Sequence, residues 1–101
     1  MFQLVLQFAP WDSAHFEDLI ALEEKLIAAV GSRATVDGHD AGSGEANIFL
    51  LTEHPTEILR DCIPVVQRSA LRVFAAGYRN LDADDYQRVW PQGDHSPFVV
   101  K

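Results

Sequence analysis

The stretch "RATVDGHDAGSGEANIFLLTEHP", residues 33–55, decides the fold. Residues 33–37 read as a short strand. Residues 46–53 read as a second strand, apolar on consecutive positions from Ile48 to Leu51, which marks a central strand with both faces covered, its second face turned toward another subunit. "HPTE" then reads as a helix start, with Pro55 in the first turn, where a missing amide proton costs nothing. A strand, a polar loop, a strand and a helix in succession form the middle of an α+β chain.

Working outward, Phe2, Leu4, Leu6 and Phe8 alternate with Gln3, Val5 and Gln7, the period of a half-buried strand. "PWDS" supplies a turn with Asp12 or Ser13 as helix cap. Apolar positions from Phe16 to Val30 then recur at three and four, with Gly31 placed to close the helix. On the other side, Ile58, Leu59, Cys62, Ile63 and Val66 keep a helical stripe, in which Pro64 predicts a kink or an early end. Residues 71–79 read as a further strand, and residues 86–91 as a last one paired with it in a hairpin. The apolar tail "PFVV", residues 97–100, should dock on the protein rather than stand in solvent. The order is that of a ferredoxin-like plait (βαββαβ) with an extra C-terminal strand: two helices on one face of an antiparallel sheet. That fold hosts unrelated activities and assigns none.

With 101 residues, 48% of them hydrophobic and 23% charged, the expectation is one globular domain able to build a core unaided. A single cysteine, Cys62, excludes an internal disulfide and a cysteine-based zinc site, and its place on the apolar stripe predicts an inert core thiol. The first residues lack the basic start and cleavage site of an export signal. No apolar run approaches the length of a membrane span, so a cytoplasmic location with no membrane partner is expected. The net charge of −7 argues against nucleic acid. Residues 1–50 carry eight acids against two bases, net −6, while the rest carry seven against six, net −1. An acidic first half suits a basic protein partner.

The polar segment holds the densest set of chemically able side chains. Asp37, Asp40 and Glu45, with the Asn47 carbonyl, are oxygen donors of the kind magnesium or calcium takes, and His39 among them could act as acid or base. The spacing matches neither a calcium loop nor a zinc-hydrolase helix, so no metal or cofactor is expected. Ser43 lies on a turn and makes a poor nucleophile. "GSG", residues 42–44, lacks the lysine and following helix of a phosphate loop. The reading adopted is a structured turn: Gly42 and Gly44 at positive φ, and Asp37, Asp40 and Ser43 bonding nearby amides. Asn47 is expected to bind main chain, with partner binding as a secondary use of Asp37, His39, Asp40, Ser43, Glu45 and Asn47. Elsewhere, Trp11, Tyr78, Tyr86 and Trp90 are core aromatics or anchors for a partner, and Arg72, Arg79 and Arg88 are surface arginines or a modest basic patch.

The block "VDGHDAGSGEANIFLLTEHP" resembles a group of small bacterial proteins sharing a D-G-H-D-x-G-S-G-E-x-N-I-F segment after a first strand and helix. Asp37, Gly38, His39, Asp40, Gly42, Ser43, Gly44, Glu45, Asn47, Ile48 and Phe49 match, whereas His54 stands where an acidic residue is expected before Pro55. The likeness extends to the opening strand and, weakly, to "DDYQRVWPQG". It implies no activity. Three readings therefore compete. The first is a small acidic, non-enzymatic binding protein, for example one that neutralises a basic toxin. The second is a metal-assisted hydrolase with Asp37, Asp40 and Glu45 as ligands and His39 as acid or base. The third is a homodimeric structural or regulatory subunit that covers an open sheet face with a second copy.

Overall fold

The structure, a computed structural model, describes residues 1–100. It is an α+β fold of two helices and an open five-stranded antiparallel sheet. In chain order the elements are β1 (Phe2–Phe8), α1 (Phe16–Val30), β2 (Thr35–Gly42), β3 (Glu45–Thr52), α2 (Pro55–Gln67), β4 (Ala75–Asn80) and β5 (Gln87–Trp90). The strands lie in the order β2-β3-β1-β4-β5, so β3, β1 and β4 are interior and β2 and β5 form the edges.

Alternation along β1 sorts the two faces. Leu4, Leu6 and Phe8 join Ile48 and Leu50 of β3, Leu19, Leu22 and Leu26 of α1, and Ile58, Leu59 and Cys62 of α2 in one core cluster. Gln3, Val5 and Gln7 point the other way. Asp12 caps the short turn before α1 by accepting from the Ala14 amide, and Glu17 and Asp18 complement the positive end of the helix. Gly31, at φ 58, closes α1 by donating to the Ile27 carbonyl. No helix is long and apolar enough to cross a membrane among the described residues.

Several boundaries differ from the sequence reading. The helix around Pro64 neither stops there nor before it, and runs on to Gln67. Pro64 falls in the last turn, so only the Arg60 carbonyl loses its helical donor, and Arg60 is exposed to water that can replace it. Residues 71–74 are not strand, because β4 pairs with β1 only as far as Ala75 opposite Gln7; β1 ends one residue later. Strand β2 is the larger correction. It extends through Gly42 and takes in most of the segment expected to be loop. The turn is only Ser43-Gly44, both at positive φ (56 and 77), the pair a two-residue hairpin of type I′ requires. Gly42 pairs with Glu45 and is not at positive φ; Gly38 is instead, at φ 115, where the register slips between Val36 and Gly38.

Candidate functional site

Because residues 38–42 are strand, their side chains alternate between faces, and the polar cluster divides. His39 lies opposite Ile48 and faces the helices. Its Nδ1 is 3.1 Å from the Glu23 carboxylate of α1, and its ring meets Phe16 edge-on at 5.9 Å. Asp40 lies opposite Asn47 and faces away from the helices, on the side of Gln7 and Glu45. Asp37 is exposed beside the bulge at Gly38. The strand period thus separates the proposed acid-base residue from the proposed ligands. Among the described residues no three of His, Cys, Asp and Glu converge as a metal site, and the set Asp37, Asp40 and Glu45 is not assembled.

Two members of that set do meet, around Asn47. Its amide Nδ2 donates to Asp40 Oδ1 at 2.9 Å and to Glu45 Oε2 at 3.0 Å, while its Oδ1 accepts from Gln7 Nε2 at 3.2 Å. Asn47 is 1% exposed and Glu45 6%. Asn47 therefore bonds side chains, where main chain was expected, because the neighbouring backbone is already committed to the β1-β3 and β2-β3 ladders. With both donors and one lone pair in use, the amide holds the two carboxylates of adjacent strands together. Beside it is a recess of about 140 Å³ lined by Asp40, Ser43, Glu45 and Asn47 with the backbone of Ala41 and Gly42. Ligand pockets run to roughly 300–1,000 Å³, so this recess admits a single small group. Neither the Asp37 carboxylate nor the Ser43 hydroxyl has a hydrogen-bond partner among the described residues, so the amide-bonding turn expected of them is absent; the ladder holds that backbone instead.

On the helix side of the hairpin tip is a larger hollow of about 560 Å³, formed by Trp11, Phe16 and residues 41–44. The Trp11 amide donates to the Gly44 carbonyl at 2.8 Å, which ties the loop before α1 to the hairpin turn. Trp11 is buried, and its indole Nε1 has no partner among the described residues.

The remaining sequence candidates have structural duties. Trp90 stacks on Phe74, Tyr78 meets Phe2 edge-on, and Tyr86 donates to Gln3 Oε1 at 2.6 Å. Arg79 donates to Gln3 Oε1 and to the Leu81 and Ala83 carbonyls. Arg88 donates to the Ser96 and Pro97 carbonyls. Arg79 lies over the Tyr86 ring and Arg88 over the Phe98 ring, while Arg72 is exposed. Cys62 is fully buried, and burial, followed by the negative charge of Asp61, pushes its thiol up to about 12. Sequence reasoning missed Gln7, Glu23 and Gln3 as polar partners. The available signal was the pair of glutamines on the non-core side of β1. No protein-family model, curated protein or solved structure matches the chain.

Proposed function

We propose that the protein is a non-enzymatic binding protein that offers the acidic side made by α1 and β2 to a basic protein partner in the cytoplasm, in the manner of an immunity protein. The observation that carries this reading is the adjacency of the two elements, joined by the Glu23–His39 contact. The exposed carboxylates are Glu17 and Glu24 on α1 and Asp37 on β2, with Lys25 as the exposed cation of α1. Arg33, the other base of the first half, is paired with Asp61. Charge so arranged raises the rate of encounter with a cationic surface and loses effect as salt rises. We read the strand order as a ferredoxin-like plait with β5 added at one edge, a scaffold that leaves α1 and the β2 edge free for contact.

The test is affinity capture from the native host with the wild-type chain and with the triple variant Glu17→Lys, Glu24→Lys, Asp37→Lys, each at low and at raised salt. A basic protein retained by the wild type at low salt, and lost both with the variant and with salt, supports the reading. The same proteins recovered with both chains would refute it.

A further inference from the structure

On α2, Thr56, Leu59, Arg60 and Ile63 recur at three and four, so they share one face of the helix. Together with Val89 and Trp90 of β5, that face lines a hollow of about 320 Å³. Ligand pockets run to roughly 300–1,000 Å³, so this one admits a single ring with one substituent. Its floor is fixed. Leu59 is 5% exposed and belongs to the core cluster, while Ile63, Val89 and Trp90 pack against that cluster and stay half-buried. Phe74 stacks on Trp90 at 5.7 Å, which holds the indole plane. Apolar surface kept open in this way is what the flat face of a ring covers.

The polar part of the lining offers donors and contains no carboxylate. Arg60 supplies a guanidinium, Thr56 a hydroxyl and Gln92 an amide, and none of these three side chains has a hydrogen-bond partner among the described residues. Nor is the Arg60 charge neutralised. Glu57, three positions before it on α2, forms no ion pair with it, and Asp61, the next residue, is paired with Arg33. Thr56 also lies in the first turn of α2, where backbone amides without helical acceptors add partial positive charge. The net charge of −7 opposes an anion from a distance. Salt screens exposed charges beyond about 8 Å at physiological ionic strength, so the local donors decide.

We propose that this hollow binds a small aromatic carboxylate, its ring on Leu59, Ile63 and Trp90 and its carboxylate on the Arg60 guanidinium, with Thr56 and Gln92 beside it. A guanidinium meets a carboxylate through two parallel hydrogen bonds, a match of shape as well as charge. Inorganic phosphate is the poorer fit, because it leaves the apolar floor uncovered. The hollow stands at the opposite edge of the sheet from β2 and does not rest on the acidic side of α1 and β2.

The test titrates benzoate into the nitrogen-15-labelled chain and follows it by two-dimensional NMR. The two tryptophans make the readout internal. Benzoate in the millimolar range should move the indole N–H signal of Trp90 and leave that of Trp11, whose backbone is tied to the hairpin turn at Gly44. Benzamide keeps the ring without the charge and acetate the charge without the ring, and each should bind at least about tenfold more weakly. Arg60→Gln should weaken benzoate by about the same factor, and should melt like the parent because Arg60 is exposed and unpaired among the described residues. An unmoved Trp90 signal, benzamide or acetate binding as tightly as benzoate, or undiminished binding by Arg60→Gln overturns the proposal. Should Arg60→Gln fail to fold by circular dichroism, the three probes on the wild type decide it alone.

Discussion

Replacing Asn47 by alanine removes three hydrogen bonds from a side chain that water does not reach. A hydrogen bond to a charged group contributes about 1.5–3 kcal/mol and a neutral one about 0.5–1.5. Asp40 is exposed, and water takes over its carboxylate, so its bond adds little. The Glu45 bond counts in full, since that carboxylate is buried. Gln7 keeps the Val99 carbonyl and loses only one of its two acceptors. The total is about 2–4 kcal/mol. At about 4–8 °C per kcal/mol for a chain of this size, Asn47→Ala should lower Tm by about 8–32 °C in a circular-dichroism melt at neutral pH. Asn47→Asp supplies the control. It keeps the shape but sets a third carboxylate against Asp40 and Glu45, and should be worse than alanine. Asn47→Ala melting within about 2 °C of the parent, or Asn47→Asp proving the milder change, would refute the claim that this amide joins the strands.

Gly77→Ala should cost about 1–3 kcal/mol, since its Cβ would meet the Phe98 ring and, at 3.1 Å, the Gln87 carbonyl; in urea unfolding the double variant with Phe98→Ala should lose less than the sum of the singles. Additive losses would separate the two residues. Ser43 occupies the left-handed region at φ 56, which asparagine tolerates better than serine, so Ser43→Asn should stabilise by up to about 1 kcal/mol in the same assay, and a loss would contradict the turn type. The folded state holds the Cys62 proton to about 12 against an ordinary 9.0, so the stability from this thiol is complete below pH 9 and is lost as pH rises from 9 toward 12. Ellman's reagent should accordingly label Cys62 at pH 8 only after unfolding, and prompt native labelling would show that the thiol is not enclosed.

Where hydrophobic period alone sets an element, the sequence was legible. The alternation of β1 and the stripes of α1 and α2 are enforced by burial, which leaves a pattern in residue type. The failures fall where pairing and not burial decides. Residues 38–42 are glycine-rich and polar, the composition of a loop, yet they form strand because β3 offers an interior partner whose backbone groups must be met. Leu71, Val73 and Phe74 are apolar and β-prone, yet residues 71–74 are not strand because β1 has ended. The site suffered the same way. His39 and Asp40 are adjacent in sequence and were read as one cluster, but a strand sends neighbours to opposite faces, so the register that separates them was not visible until β2 was known to reach them. Gln7 and Phe98 lie far from that segment in the chain, and only the sheet brings them near Asn47 and Gly77.

The position of Asp37 can be accounted for without a ligand or a cap. β2 is an edge strand, and an edge offers unpaired amides and carbonyls to any other strand. Edges are blunted by charge and by bulges. Here an exposed carboxylate, Asp37, stands beside a register slip at Gly38, whose φ of 115 suits glycine and strains other residues. Three residues on, Asp40 presents a second exposed carboxylate along the same strand. An edge guarded this way resists sheet-to-sheet pairing while keeping its negative charge in solvent.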